Sequence, residues 1–250
     1  MSGHSKWATI KRKKGATDQA RGRIWTKLIR EVVTAARIGG GDANGNPRLR
    51  KAIIDCRAQH MPADNIKRAV QRGTGELEGA SYDEVLYEGT GPSGTLFLVE
   101  GMTDNRNRTV AELRKIFERH NGNLGGSGAA GWAFDRFGVI TLEKAAATED
   151  QLMEAAIEAG ADDYRDEGET WGVYTPPGDL DRVTTALEAK KLAIQSSKLM
   201  YIPKNKKPVV AREAEVCLNL VEALDEHEDV QNVYADFDLS EEELARIAAM

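Results

Sequence analysis

Apolar positions recur at helical spacing in the first third of the chain and at alternating strand and helical spacing in the segments that follow. Trp25, Ile29, Val32 and Ala36 follow i, i+4, i+7 and i+11. That is one apolar stripe on a helix that Asp18 can cap and that ends near Ile38, before Gly39-Gly40-Gly41. Asn46-Pro47 is a cap residue followed by proline at a first helical position. The helix it opens turns Leu49, Ala52, Ile53 and Cys56 inward and Arg48, Arg50, Lys51 and Arg57 outward. Met61-Pro62 breaks the chain. A third helix then turns Ile66, Ala69 and Val70 inward and Lys67, Arg68 and Arg72 outward, until Gly73.

After residue 76 the pattern becomes α/β. Val85–Glu88 and Thr95–Glu100 read as a hairpin joined by a Gly/Pro turn. Thr109–Glu112 reads as a capping box opening a helix with Val110, Leu113, Ile116 and Phe117 inward, ended by Asn121-Gly122. A glycine-rich loop over 122–131 leads to a strand over Trp132–Leu142. Thr148–Gln151 is a second capping box, and Gly160 closes its helix. Strands around Tyr164, over Trp171–Tyr174 and near Leu199–Ile202, with a helix after Pro176-Pro177, complete β-α-β-β-α-β, the ferredoxin-like order. The linker Pro203–Pro208 leads to a last helix (Val216, Leu220, Leu224) and a last strand over Val230–Phe237. That α-β pair needs partners, and the hairpin-helix unit of residues 85–124 lacks them. The expected fold class is α+β with three domains. Residues 1–76 form a three-helix domain with a basic arm over 1–16. Residues 77–131 and 205–250 form a discontinuous α/β domain. Residues 132–204 form an α/β, ferredoxin-like domain inserted in it.

Charge changes the picture. The 250 residues carry 34 Lys and Arg against 40 Asp and Glu, a net charge of -6. Yet residues 1–75 hold 17 basic and 5 acidic side chains, a balance of +12. A strongly basic module on an acidic body is the footprint of a polyanion binder, so the expected partner is nucleic acid, either DNA or rRNA on the ribosome. On the first helix, Arg23, Lys27, Arg30 and Arg37 form a stripe about 200° from the apolar one, which predicts an exposed basic face. The candidate contacts are Lys6, Trp7, Lys11, Arg12, Lys13 and Lys14 on the arm, Arg23, Lys27 and Arg30 on the first helix, and Arg48 and Arg50 on the second. The third helix adds Asn65, Arg68 and Arg72 at i, i+3 and i+7, side chains able to reach base edges. With the Met61-Pro62 break before it, this is a loose helix-turn-helix analogue. Trp7 either anchors the arm on the first helix or stacks on an unpaired base.

Other chemistry is thinly represented. Cys56 and Cys217 form no CxxC, which excludes a disulfide scaffold and the usual thiolate zinc sites. No apolar run reaches the ~18 residues of a membrane helix, and no apolar h-region follows the first basic residues, so a cytoplasmic protein is expected. Gly89–Gly94 and Gly126–Gly131 both satisfy G-x-G-x-x-G, but each precedes a strand rather than a helix. They read as a hairpin turn and a domain junction, not as cofactor loops. His4, His60, His120 and His227 are scattered, and Asp236–Asp238 with Glu241–Glu243 read as a solvated tail cluster. No metal, cofactor, catalytic residue or small-molecule substrate is expected, and the reading is of a non-enzyme. Thr103–Thr109 is an unusually polar joint, serving either turn and cap hydrogen bonds or a binding loop.

The sequence resembles the YebC/PmpR family. The matching blocks are Gly3-His4-Ser5-Lys6-Trp7, Arg21-Gly22 with Lys27-Leu28-Ile29-Arg30-Glu31, and Gly40-Gly41-Asp42 with Asn46-Pro47-Arg48-Leu49-Arg50. They continue through Met61-Pro62, Asp64-Asn65-Ile66, Tyr87-Glu88-Gly89, Thr103–Thr109 and Gly122-Asn123-Leu124-Gly125. It departs at Trp25, where relatives often carry Phe, at Ala43-Asn44-Gly45, and at Gly128–Gly131, which is looser than the family's Gly-Ser-Val. The resemblance implies three domains with the third inserted in the second. It also implies a DNA-binding transcriptional regulator, ranked first, or a translation factor acting on ribosomes stalled at proline-rich stretches. Mitochondrial relatives of the family are translational activators for a cytochrome oxidase subunit.

Overall fold

The computed structural model describes residues 18–248. In chain order the elements are α1 (Asp18–Gly39), α2 (Pro47–Ala58), α3 (Ala63–Thr74), β1 (Asp83–Thr90), β2 (Leu96–Thr103), α4 (Arg106–Arg119) and β3 (Asn123–Leu124). Then come β4 (Phe134–Glu143), α5 (Glu149–Ala159), β5 (Asp163–Asp166), β6 (Thr170–Thr175), α6 (Leu180–Ala189) and β7 (Ile194–Pro203). The chain closes with β8 (Lys207–Pro208), α7 (Ala211–Asp225), β9 (Val230–Ala235), β10 (Phe237–Asp238) and α8 (Glu241–Ala248). The fold is α+β, helices first and sheets after. The described residues divide into two compact units, 18–130 with 211–233 and 131–210 with 234–248.

In the first unit, α1, α2 and α3 pack around Val32, Val33, Ala36, Leu49, Ala52, Cys56, Ile66 and Ala69. Burial lifts the Cys56 thiol to about 11, which keeps it an inert core residue. Asn46 shows how a short sequence signal fixes the geometry. Its Oδ1 accepts from the Leu49 N–H at 3.1 Å and so caps α2. Its Nδ2 donates to the Ala35 and Gly40 carbonyls at 2.8 and 2.9 Å, tying the end of α1 to the start of α2. Gly73 lets α3 press on α1, because a Cβ there would meet the Val33 carbonyl oxygen at 2.5 Å.

The same unit holds a sheet of order β3-β1-β2-β9. β1 and β2 form the expected antiparallel hairpin, with Tyr87 opposite Val99. Two details differ from the sequence reading. α4 begins at Arg106 with Asn105 as its cap, accepting from the Arg108 N–H at 3.1 Å. Thr109 therefore sits inside the helix rather than at its start, and its hydroxyl is committed elsewhere. The cap role went to an earlier Asn whose side chain fits the turn equally well.

The second unit carries a sheet of order β5-β6-β4-β7, with α5 and α6 packed on one face. This is the ferredoxin-like arrangement, and the Thr148–Gln151 capping box is present as predicted. β4 starts at Phe134, after a short helical turn over Gly131–Ala133. β8 and β10 add a small parallel pair. The acidic tail cluster is corrected here: Asp236 is buried, and Glu241–Ala248 is a helix.

Candidate nucleic-acid interface

The arm residues Lys6, Trp7, Lys11, Arg12, Lys13 and Lys14 lie outside the described residues. The other candidates fall into two groups, those held by acids of the same chain and those left open. Arg23 pairs with Glu226 at 2.9 Å, and Lys27 with Asp225 at 2.9 Å. Arg30 is only 7% exposed and pairs with Asp229 at 2.5 Å. The first-helix stripe is therefore not the open basic face that its helical spacing predicts. α1 is covered on both sides, because its partners come from a turn some two hundred residues later in the chain. Arg48 pairs with Glu31 at 2.6 Å and with Glu84 at 2.7 Å, and the Glu31 hydrogen bond helps hold its pKa above the ordinary arginine value. Arg50 is exposed and donates to the Ala43 and Asn44 carbonyls at 3.1 and 3.2 Å.

α3 is the contrast. Ile66 and Ala69 are buried, Lys67, Arg68 and Arg72 are exposed, and Asn65 is half-buried at the edge of the same helix. None of the three cations makes an ion pair with another described residue, and nor does exposed Arg57 at the end of α2. The open positive charge of the described helical domain thus gathers on α3 and the end of α2. Gly75, in the left-handed conformation, ends α3.

Asp229 is the residue that sequence reasoning missed. Its carboxylate is fully enclosed and accepts from Arg30 at 2.5 Å, from Arg108 at 2.9 Å and from the Thr109 hydroxyl at 2.5 Å. Burial alone would raise the carboxyl's pKa, but these donors outweigh it and hold it at about 2. Thr109 is steadied in turn by Thr103 at 2.7 Å. The polar Thr103–Thr109 joint thus serves local caps and this internal knot. Only the polar density of that joint signalled it, since Asp229 itself lies in an ordinary acidic run.

Two other constellations resolve structurally. Glu112, His227 and Asp229 bring ligand atoms within 4.8 Å of one another. The Asp229 N–H, however, donates to His227 Nδ1 at 3.1 Å, which puts the proton on Nε2, facing Glu112 Oε2 at 2.9 Å. A ring so engaged offers no free lone pair, and Asp229 is already saturated, so the trio is a hydrogen-bonded knot rather than a cation cage. In the second glycine motif, the Gly128 and Ala130 N–H groups donate to the Glu88 carboxylate at 2.9 and 2.7 Å. The chain's own carboxylate thus takes N–H groups that a phosphate loop would offer its ligand.

Known proteins match over nearly the whole chain. The family domain described as the TACO1/YebC protein N-terminal domain matches residues 5–76, and that described as the TACO1/YebC second and third domain matches residues 82–237. A probable transcriptional regulatory protein of Desulfotalea psychrophila is 51% identical over 99% of this chain and 100% of its own length. One of Syntrophus aciditrophicus is 50% identical over 100% of both. The crystal structure of a conserved hypothetical protein from Aquifex aeolicus superposes with a TM-score of 0.83 at 40% identity, covering 90% of this chain and 93% of that one.

Proposed function

Because the chain belongs to the TACO1/YebC family, we propose that it is a non-enzymatic regulator of gene expression that binds nucleic acid through the outer face of α3, with the basic arm as a second contact. The observation that carries this reading is the partition of charge. The chain's own acids neutralise Arg23, Lys27, Arg30 and Arg48, while Lys67, Arg68 and Arg72 stay exposed and unpaired among the described residues. Phosphate contacts need cations free to release counterions on binding, and α3 supplies them. Duplex DNA is the first partner, since Asn65, Arg68 and Arg72 share a helix face in the spacing that suits base edges, and since the relatives named above are called transcriptional regulators.

The test is equilibrium binding by the full chain and by the Arg68→Ala/Arg72→Ala variant. The variant should melt with the wild type, because both side chains are exposed. Its affinity should fall, and its log K against log salt should flatten by about 0.9 for each lost duplex contact. A sequence-specific regulator should prefer one duplex over random duplex by at least about a thousandfold. Weak, uniform duplex binding combined with salt-sensitive co-sedimentation with ribosomes would move the partner to rRNA. Unchanged affinity in the variant would remove α3 from the interface.

A further inference from the structure

Five consecutive residues, Asp225 to Asp229, form an acidic segment, with Asp225 ending α7 and the other four making the turn into β9. On one side the turn meets the basic stripe of α1. Arg23 takes Glu226, Lys27 takes Asp225 through both its carboxylate and its carbonyl, and Arg30 takes Asp229 and the Glu228 carbonyl. On the other side lies α4, whose Arg108, Lys115 and Arg119 follow i, i+7 and i+11 and so share one face. Arg30, Arg108, Lys115 and Arg119, with residues 226–229 of the turn, line a cleft of about 690 Å³, and Arg23 and Lys27 lie outside its lining. Arg108 is held by Asp229 and Asp104, whereas Lys115 and Arg119 are exposed and make no ion pair with another described residue.

We propose that the basic stripes of α1 and α4 form a further contact surface for nucleic-acid phosphates, one that the chain's own acidic turn occupies in this structure. The turn presents carboxylates to two cationic helix faces, as a phosphate run would. Its pairs are graded. Asp229 is enclosed and fixed by three donors, so it serves structure. Glu226 and Glu228 are open, with side chains 47% and 75% exposed, and Glu228 reaches Arg30 only at 3.8 Å. Exposed pairs of this kind contribute little and exchange readily. Lys27, part-buried on Asp225, stays held, whereas phosphates of a polyanion can compete for Arg23 and recruit Lys115 and Arg119. Glu112 and Asp104 remain in the cleft, tied to His227 and Arg108, and limit how far its charge can turn positive. The inference deepens the nucleic-acid reading above and rests on it.

The experiment uses the full chain with a labelled random duplex DNA and a labelled single-stranded RNA, titrated over a range of salt. Glu226→Gln/Glu228→Gln removes the two exposed charges and leaves Asp229 in place. It should tighten binding by roughly fivefold per unmasked contact near physiological salt, and steepen the salt dependence by about 0.7 to 0.9 for each. Adding Arg23→Ala to that variant should remove most of the gain, and adding Lys115→Ala/Arg119→Ala should weaken binding and flatten the salt dependence again. Glu149→Gln/Glu154→Gln, on α5 in the other unit, removes the same charge and should leave the slope unchanged, which separates unmasking from a change in net charge. An unaltered slope in Glu226→Gln/Glu228→Gln would overturn this inference while leaving the α3 reading intact, provided Arg68→Ala/Arg72→Ala still weakens binding. Absence of nucleic-acid binding by both the wild type and Glu226→Gln/Glu228→Gln would overturn both.

Discussion

The Asp229 carboxylate joins α1, α4 and the start of β9 through Arg30, Arg108 and Thr109. It stands immediately before β9, buried, with two guanidinium groups and a hydroxyl aimed at it. Removing one partner of a buried pair leaves the other charged and unsatisfied, at a cost of about 3–5 kcal/mol. Asp229→Asn should therefore lower the unfolding free energy by that order, and chemical denaturation followed by fluorescence would measure it as a lower midpoint. The pH dependence follows from the same contacts. The carboxyl is held at about 2 in the fold, against 3.8 ordinarily. Its contribution is thus fully present above about pH 4 and is lost as the pH falls from there towards 2, a linked loss of about 2 kcal/mol. The wild type should show this acid-induced fall in stability, and Asp229→Asn should lack that component. No local pattern marks this residue in the sequence, because its partners Arg30 and Arg108 stand 199 and 121 positions away.

Elements were more readable than their surroundings. Asn46-Pro47 opened α2, and the second capping box opened α5, because caps satisfy backbone N–H groups with side chains a few residues away. The Thr109 box failed because Asn105 competed for the same role and Asp229 claimed the Thr109 hydroxyl. α1 departs further from its local pattern. Its spacing separates an apolar stripe from a basic one, and the basic stripe then proves to be a contact face, satisfied by acids that no local pattern locates. The tight seam between α1 and α3 gives a test at this scale. Gly73→Ala would place a methyl 2.5 Å from the Val33 carbonyl oxygen and should destabilise the fold by about 1–3 kcal/mol, read as a lower melting temperature. α3 would then sit differently on its support, so nucleic-acid affinity should fall as well, unlike in a substitution on a remote surface.

At the scale of the whole molecule, the balance of +12 over residues 1–75 pointed to a polyanion partner, but not to which cations are available. Folding sorts them: acids from β1 and from the Asp225–Asp229 turn neutralise much of the helical domain, leaving α3 open. A chain cut near residue 76 would leave Asp229 without Arg30, so binding is better dissected by point variants of the full chain. The most direct measurement is crosslinking in cells, followed by sequencing of both the DNA and the RNA recovered with the wild type and with Arg68→Ala/Arg72→Ala. The proposed function predicts discrete, reproducible duplex DNA sites that the variant loses while its abundance is unchanged. Recovery of the same DNA and RNA by both proteins would contradict it.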